Sequence, residues 1–452
     1  MRASAALNFN GDANVLGTFD PNRREATIVG AGIAGLLAAY ALDKKGYEVT
    51  LLEERARAGG LIQTQRTEYG IAEAAAHSLL ATPTVVAFCR DLGVELAEIR
   101  PDARARFILR GGRLSKFPLR AGEALRAFTH AAFMRADRHA EPLNLETWGR
   151  KHLGDAALEY LLTPFVRGIY GVQPAELGVA AAFPELAVAP GQTLLGTMLH
   201  KALRRSAQNG HNGNGTNGAR KQTKQRKRMV APARGMGDVT AQLEQQLERR
   251  LGARFRRGVR VSDLPDAPNV LLATPAYAAA ELLKTEAPEL SRKLQAVEYT
   301  PIVSVTAFVE RANFTRRLRG VGVLVPAPEK RSCLGVLFNS SAFAGRVFDE
   351  ARHASFTILC GGTAQPRWVA ATDEEIAAAV RAELMELLGI QGEPLQLVIN
   401  RWPRAIPQYS VQLPDIWRCA QGSWCAAPGR ILFGNYTGQV SLRGMIEQAM
   451  SW

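Results

Sequence analysis

The stretch EATIVGAGIAGLLAAYALDKKGYEVTLLE, residues 25–53, decides the fold of this chain. A short apolar, β-rich run at 25–30 leads into the glycine pattern GAGIAG at 30–35. A segment of helical composition then ends at Gly46, and a second strand closes on Glu53. This order of strand, glycine turn, helix, strand and acid is typical of a dinucleotide-binding βαβ unit. We therefore predict an α/β fold with a dinucleotide site near the start of the chain.

Each residue type in the glycine pattern has a physical reason. Gly30 permits the tight turn, Gly32 lets the backbone approach a pyrophosphate, and Gly35 lets the helix pack closely on the strand. The N-terminus of the helix faces the phosphates in such a unit, and an acid at position 53 accepts a hydrogen bond from a ribose hydroxyl. The cofactor-binding residues predicted here are Gly30, Ala31, Gly32, Ile33, Ala34, Gly35 and Glu53.

Composition places the chain among ordinary globular proteins. It has 452 residues, of which 47% are hydrophobic and 22% charged, and this excludes collagen-like, fully disordered and coiled-coil classes. The net charge of +14 would suggest nucleic acid, a membrane surface or an acidic small molecule as partner. However, nine of those positive charges lie between Lys201 and Arg228, a stretch without any acid, which leaves +5 for the rest.

Two segments are predicted to lie outside the folded domains. Residues 206–228, rich in Gly, Asn and Gln, are predicted as a disordered basic loop, either a solvated insertion or a patch for anionic lipid, RNA or a protein. Residues 1–23 are predicted as a loose N-terminal leader, since they lack the apolar run of a secretory signal. The five cysteines are scattered and form no CxxC, and the histidines show no ligand spacing, so we expect neither disulfides nor a metal site.

The residues after the second strand indicate which dinucleotide binds. From Glu53 the sequence reads E-x-R-x-R-x-G-G, which resembles the extended motif of FAD enzymes of the amine oxidase and phytoene desaturase class. This resemblance implies that the cofactor is FAD and that Arg57, Gly59 and Gly60 also bind its diphosphate. NAD dehydrogenases lack this extension.

Later segments resemble the returning pieces of such a domain. The resemblance implies that the backbone of Val259 contacts the adenine, and that a helix starting at Val440, Ser441 and Leu442 points at the flavin pyrimidine, where its dipole stabilises negative charge. We predict a discontinuous FAD-binding domain and a substrate domain of mixed sheet with a helical cap. The first comprises residues 24–85, 226–296 and 421–452, and the second 86–205 and 297–420.

Four stretches beyond the FAD motif resemble the protoporphyrinogen and coproporphyrinogen oxidases. These stretches are FVRGIYGVQPAELGVAAAFPEL (165–186), VGVLVPAPEKRSCLGVLFNSSAFAGR (321–346), RWPRAIPQYSVQL (401–413) and GNYTGQVSLRGMIE (434–447). The resemblance implies oxidation of a porphyrinogen in haem biosynthesis by hydride transfer to FAD, with dioxygen as the final acceptor. It also implies that the backbone of Gly168 lies near the reacting carbon. The C-terminal loop has no cysteine, so we expect FAD to bind without a covalent bond.

The same resemblance bears on partners and location. Because the product is a flat, apolar molecule with acidic side chains, the family associates with membranes or hands its product directly to the next enzyme. We expect a cytoplasmic protein that contacts the inner face of the membrane peripherally or meets the next haem-pathway enzyme, and no nucleic acid partner.

Two positions depart from the family pattern. Ala75 replaces a glycine that approaches the isoalloxazine, so a Cβ there pushes the ring or shifts the backbone. His77 stands where the family carries a polar or basic residue near the substrate propionates, and the alternative is a neutral histidine in the core.

Two other functions stay open from the sequence. A flavin amine oxidase or carotenoid desaturase would share the fold, and an amine oxidase would show an aromatic pair near the flavin, for which Trp402 and Tyr436 are the candidates. A non-catalytic flavoprotein is favoured by Ala75 and the basic loop.

Overall fold

The computed structural model describes residues 16–137, 143–211 and 228–452. The strands are β1 (Glu25–Val29), β2 (Glu48–Glu53), β3 (Thr64–Arg66), β4 (Ile71–Glu73), β5 (Leu79–Ala81), β6 (Leu96–Glu98), β7 (Arg106–Arg110), β8 (Arg113–Ser115), β9 (Arg228–Pro232), β10 (Phe255–Arg257), β11 (Asn269–Leu272), β12 (Tyr299–Glu310), β13 (Gly322–Leu324), β14 (Cys333–Leu337), β15 (His353–Gly361), β16 (Gln396–Pro407) and β17 (Arg430–Leu432). The α-helices are α1 (Ile33–Lys44), α2 (Pro83–Asp91), α3 (Ala121–Phe133), α4 (Leu145–Leu153), α5 (Asp155–Ala157), α6 (Thr163–Tyr170), α7 (Val179–Ala182), α8 (Leu194–His211), α9 (Gly237–Leu251), α10 (Ala276–Leu282), α11 (Pro288–Gln295), α12 (Asn339–Ala342), α13 (Asp373–Ala382), α14 (Leu413–Gly422) and α15 (Leu442–Ser451).

The first sheet is parallel throughout and has the order β10-β2-β1-β11-β17. Ile28 in the middle strand lies between Leu51 and Leu271, and all three side chains are buried. Helices α1, α2, α9 and α15 cover this face, while α10, α11 and α14 cover the other. A parallel sheet needs helices on both faces, which is why its central strands β1 and β11 carry mostly apolar residues. The predicted α/β class is confirmed.

The second sheet has seven strands in the order β16-β12-β15-β14-β13-β7-β8. All its pairs are antiparallel except β13 with β7, so it is a mixed sheet. Alternate residues of β12 point to opposite faces. Val303, Val305 and Ala307 join the apolar core that also contains Ile376 and Val380 of α13. Ser304 and Thr306 lie on the opposite, more polar face, and both are buried.

One helix spans a predicted division between the two domains. Helix α2 runs through the predicted division between residues 85 and 86, and its Phe88 contacts Tyr40 of α1 edge-to-face with ring centroids 5.8 Å apart. Strand β9 then joins β5 and β6 into one small sheet. The chain up to about Glu98 therefore packs with the parallel sheet, because α2 and β6 bury their apolar residues there.

Two segments expected to be unstructured are partly ordered. Leu16 is buried and bridges to Leu432 of β17, and Phe19 packs edge-on against Trp452, so the part of the leader from residue 16 belongs to the fold. Helix α8 extends to His211, and Arg228 begins β9 opposite Ala81, so both ends of the predicted basic loop are regular structure. Residues 1–15 and 212–227 lie outside the described part of the chain.

All five cysteines are free thiols. Among the described residues, no helix is long and apolar enough to cross a membrane.

Candidate functional site

The first glycine turn connects β1 to α1 and has the predicted geometry. Gly30 adopts a φ of +98°, and its N–H donates to the carbonyl of Leu52 at 2.7 Å. A Cβ on Gly35 would lie 1.8 Å from the carbonyl oxygen of Gly30, so only glycine allows this close packing of helix on strand. A Cβ on Gly32 would instead meet no described atom within 4 Å. Gly32 therefore borders open space at the N-terminus of α1, where a phosphate group fits.

The second glycine pair lies directly beside the first turn. Gly59 has a φ of +93° and Gly60 a φ of +59°, and the N–H of Gly59 donates to the carbonyl of Ala31 at 2.9 Å. A Cβ on Gly60 would lie 3.2 Å from the Cα of Gly32. The exposed guanidinium of Arg57 donates to the carbonyls of Ala58 and Gly60, each at 3.2 Å. Arg57 is thus held at the rim of the paired glycine turns.

Glu53 connects this pair of turns to the end of β2. Its Oε2 accepts from the N–H of Ala31 at 2.6 Å and its Oε1 accepts from the N–H of Arg55 at 3.0 Å. Each carboxylate oxygen can accept a further hydrogen bond, so a ribose hydroxyl remains compatible. Val259 lies beside it, but its N–H donates to the backbone carbonyl of Glu53 at 2.8 Å. Only the carbonyl of Val259 is left for an adenine.

A buried hydroxyl that the sequence analysis missed completes the carboxyl edge of the parallel sheet. Thr274 follows β11, between Gly30 after β1 and Gly434 after β17. A Cβ on Gly30 would lie 3.2 Å from its Cγ2, and one on Gly434 3.8 Å from its carbonyl oxygen. Its Oγ1 is buried without a hydrogen-bond partner among the described residues. Buried hydroxyls are normally hydrogen-bonded, so this orphan at the ligand-binding edge fits a bound dinucleotide.

The C-terminal helix begins as the sequence predicts. Ser441 caps α15, and its Oγ accepts from the N–H of Gly444 at 3.1 Å. Leu442 packs in the core shared with α1, whereas Val440 packs against the core on the other side of the sheet. The N-terminus of α15 carries a partial positive charge from the helix dipole.

The segment 73–77, which we call the bridging segment, spans the space between the two sheets. The indole Nε1 of Trp402 in β16 donates to the carbonyl of Ala74 at 2.8 Å. The Nε2 of His77 lies 3.1 Å from the Oγ1 of Thr357 in β15. Ala75 is thereby held between two contacts to the seven-stranded sheet.

A buried ion pair, also missed from the sequence, anchors the start of the bridging segment. Glu73 is 5% exposed and Arg346 3%, and the nitrogen–oxygen distance between them is 3.4 Å. Glu73 also accepts from the hydroxyl of Thr64 at 2.6 Å and from the N–H of Met236 at 2.9 Å. Desolvation raises the pKa of Glu73 and lowers the pKa of Arg346. The phrase Phe-x-x-Arg at 343–346 was the only signal in the sequence.

The surroundings of His77 oppose a charged imidazole. Desolvation, with a smaller contribution from the charge of Arg346, lowers the pKa of His77 to about 4. A ring with this pKa is neutral near pH 7.

Gly168 lies where the helical cap packs on the second sheet. It lies in α6, and a Cβ there would lie 2.6 Å from Cδ2 of Leu324 in β13, so the helix packs tightly on the second sheet. The adjacent Arg167 is buried, donates to the carbonyl of Val325 at 3.2 Å, and keeps its Nε without a partner among the described residues. Desolvation lowers the pKa of Arg167.

The aromatic candidates for an amine oxidase site lie in different surroundings. Trp402 is held to Ala74, whereas Tyr436 is buried beside Trp417, whose Nε1 donates to its backbone carbonyl at 2.9 Å. Within the described ranges no ring contact joins Trp402 to Tyr436.

Comparison with known proteins follows this geometry. A family model described as flavin containing amine oxidoreductase matches residues 33–451. The chain belongs to this family. As a flavin amine oxidoreductase family member it is an oxidoreductase with a flavin cofactor, and the paired glycine turns and the orphan hydroxyl of Thr274 fit that group.

The relatives with similar sequences are porphyrinogen oxidases. The chain is 26% identical over 471 residues to the chloroplastic protoporphyrinogen oxidase of Oryza sativa subsp. japonica, covering 94% of this chain and 86% of that protein. It is 29% identical over 444 residues to the coproporphyrinogen III oxidase of Propionibacterium freudenreichii subsp. freudenreichii, covering 87% and 82%. A solved structure from Exiguobacterium sp. 255-15, provisionally named a protoporphyrinogen oxidase, superposes with a TM-score of 0.71 at 21% identity, covering 96% and 98%. The predicted resemblance to porphyrinogen oxidases is confirmed.

Proposed function

We propose that this protein is an FAD-dependent oxidase that converts a porphyrinogen, protoporphyrinogen IX or coproporphyrinogen III, to the porphyrin with dioxygen as acceptor. The observation that carries the proposal is similarity to both kinds of porphyrinogen oxidase over more than four-fifths of the chain. The alternatives of an amine oxidase or a carotenoid desaturase share the fold, and reduction of the flavin by different substrates distinguishes them.

The residues proposed to hold FAD lie along the carboxyl edge of the parallel sheet. The flavin supplies the acceptor for a hydride from the macrocycle. Backbone groups of the two glycine turns bind the diphosphate, Glu53 and the carbonyl of Val259 bind the adenosine, and the N-terminus of α15 lies at the flavin end. The hydroxyl of Thr274 gains a partner. The proposed set is Gly30, Ala31, Gly32, Ile33, Ala34, Gly35, Glu53, Arg57, Gly59, Gly60, Ala75, Val259, Thr274, Val440, Ser441 and Leu442.

The chain's contribution to the reaction is to position the macrocycle and exclude water. Ile302, Leu334 and Ala405 form a buried apolar cluster on the second sheet, with Trp402 packed against it. Gly171, at the end of α6, faces Ile302, since a Cβ there would lie 2.8 Å from Cδ1 of Ile302. An apolar, enclosed wall suits a flat macrocycle and keeps water from the reacting carbon. The backbone of Gly168 in α6 is proposed to lie near the reacting carbon.

The test is anaerobic reduction of the bound flavin. Protoporphyrinogen IX or coproporphyrinogen III should bleach the flavin absorbance, and air should restore it with appearance of porphyrin fluorescence. Acid precipitation should release intact FAD into the supernatant, as non-covalent binding requires. Bleaching by a panel of amines and by neither porphyrinogen would show that the enzyme is an amine oxidase.

We infer further that one surface of the helical cap contacts anionic lipid. Helices α3 and α8 and the residues around them expose a group of large apolar side chains. One exposed basic side chain lies on α3 and three lie on the segments that flank it. The apolar ones are Phe117, Leu125, Phe128, Phe133, Met134, Met198, Leu199 and Leu203. The basic ones are Lys116, Arg120, Arg126 and Arg135. Exposed apolar patches rimmed by charge mark interaction sites, and basic rims favour anionic headgroups.

Vesicle sedimentation tests the lipid contact. The protein should sediment with phosphatidylglycerol-containing vesicles, and the variant Leu125→Glu/Phe128→Glu should stay in the supernatant. Met385→Glu, which changes an equally exposed apolar residue elsewhere, is the matched control. Equal sedimentation of all three proteins would exclude this surface and leave direct transfer to a partner enzyme as the alternative.

A further inference from the structure

A four-membered hydrogen-bond network connects the bridging segment to the polar face of the second sheet. Thr357 lies at its centre: its Oγ1 is 3.1 Å from Nε2 of His77, 2.8 Å from Nδ2 of Asn339 and 3.2 Å from Oγ1 of Thr306. Thr306 and Thr357 stand directly opposite each other on β12 and β15, and both are fully buried. The network therefore has a rigid base in the centre of the sheet.

The hydrogen bonds of Thr357 are compatible with a neutral His77 that carries its proton on Nδ1. In that tautomer Nε2 of His77 accepts the hydroxyl proton of Thr357. Thr357 in turn accepts from the amide of Asn339 and from the hydroxyl of Thr306.

The charged groups near the imidazole oppose its protonation. Arg346 stands close enough to lower the pKa of His77, and the carboxylate that could offset this effect, Glu73, is engaged by Arg346, Thr64 and Met236. A neutral imidazole can serve as both donor and acceptor, so it can bond to the backbone of Ala75 and to the hydroxyl of Thr357 at once.

We propose that His77 is a positioning residue which, as the neutral Nδ1–H tautomer, fixes Ala75 and the bridging segment against the second sheet, and that it binds no substrate carboxylate. This role rests on the proposed function, since the bridging segment is taken to face the flavin. Of the two alternatives given for His77 from the sequence, His77 is then the neutral core histidine, and its role is to hold the backbone of Ala75 in place. The position of the backbone at Ala75 is important because the Cβ of Ala75 would lie near the isoalloxazine. A small displacement of the backbone would press this Cβ into the flavin ring.

The first experiment reads the tautomer directly in the holoenzyme. Nitrogen-15 NMR of histidine-labelled protein, with His77 identified by the loss of its signals in His77→Gln, should show one neutral tautomer with the proton on Nδ1 from about pH 5.5 to pH 8. A charged imidazole at neutral pH, or a proton on Nε2, would overturn the proposal. This measurement requires no turnover, so it stands even if porphyrinogens prove not to be substrates.

The second experiment separates positioning from substrate binding. His77→Gln can both donate and accept, so it should keep FAD affinity and the porphyrinogen KM within about threefold of the original, whereas His77→Ala should weaken FAD binding by about tenfold. Thr357→Val should repeat the effect of His77→Ala, and Thr357→Ser should not. If His77→Gln instead raised the porphyrinogen KM more than tenfold while FAD affinity stayed unchanged, His77 would be a carboxylate ligand and the proposal would be wrong.

Discussion

The two sheets contribute to the same site in different ways. At the edge of the parallel sheet, the glycine turns are built by contacts between residues close in sequence, such as Gly30 with Gly35 and Ala31 with Glu53, 22 positions apart. The seven-stranded sheet acts through side chains far away in sequence: Trp402 reaches Ala74 across 328 positions. The first kind of site leaves a motif in the sequence, and the second leaves only scattered polar residues.

The largest expected effect separates two glycines within one motif. Gly35→Ala places a Cβ against the Gly30 carbonyl and should destabilise the protein by several kcal/mol or prevent folding. Gly32→Ala meets open space and already has a helix-compatible φ of −63°, so the apoprotein should unfold at nearly the same urea concentration as the original. Its FAD affinity, measured by fluorescence titration, should fall by roughly 100-fold because the Cβ occupies the phosphate position. Equal loss of stability in both variants would mean that Gly32 is also a packing residue.

The buried ion pair is the corresponding test for contacts between distant segments. Arg346→Met leaves the Glu73 carboxylate buried without its cation and should lower the free energy of unfolding by about 3–5 kcal/mol in urea titrations. The double variant Glu73→Gln/Arg346→Met should recover much of that loss, since it no longer buries an unpaired charge. Glu73→Gln is the second single variant. If the losses of unfolding free energy in Glu73→Gln and Arg346→Met simply added in the double variant, the ion pair would not couple Glu73 to Arg346.

Removing the hydroxyl of Thr274 should have opposite effects on the stability of the apoprotein and on its affinity for FAD. Thr274→Val replaces an unpartnered buried hydroxyl with a methyl group of the same shape, so the apoprotein should be equally stable or slightly more stable. FAD should bind about five- to tenfold more weakly, because the hydrogen bond formed in the complex is lost. Thr300→Val, at another buried hydroxyl without a described partner, is the matched control and should leave FAD affinity unchanged if Thr274 alone faces the cofactor.

This contrast explains what the sequence could predict. The βαβ unit, the paired glycine turns and the start of the C-terminal helix follow from local rules of backbone conformation, and the structure has them where they were predicted. Thr274 follows a strand in the phrase LLATP, but nothing local says that its hydroxyl lacks a partner. Glu73, Arg346 and Thr357 could not be found, because the ion pair joins two distant segments and the hydrogen bonds of Thr357 depend on the register between β12 and β15. Leu16, in the segment predicted as a loose leader, is likewise ordered by a contact with a distant segment, since it bridges to Leu432 of β17 near the other end of the chain.

The smallest effect is expected in β7, which lies next to β8, the edge strand of the second sheet opposite to β16. Arg110 of β7 holds Glu123 of α3 through two hydrogen bonds of 2.7 Å, and these lower the pKa of Glu123 to about 2. A carboxylate with a lowered pKa contributes stability that is present above its unfolded-state pKa of about 4.3 and is lost as pH falls through about 2. Because Glu123 is 26% exposed, solvent screening should keep the loss in Glu123→Gln below about 1 kcal/mol near pH 7. Urea titrations should show that the difference in unfolding free energy between the original protein and Glu123→Gln narrows near pH 3, while the two proteins keep the same FAD affinity. A difference independent of pH would mean that packing, and not charge, joins α3 to the sheet, and a change in FAD affinity would show that this edge communicates with the bridging segment.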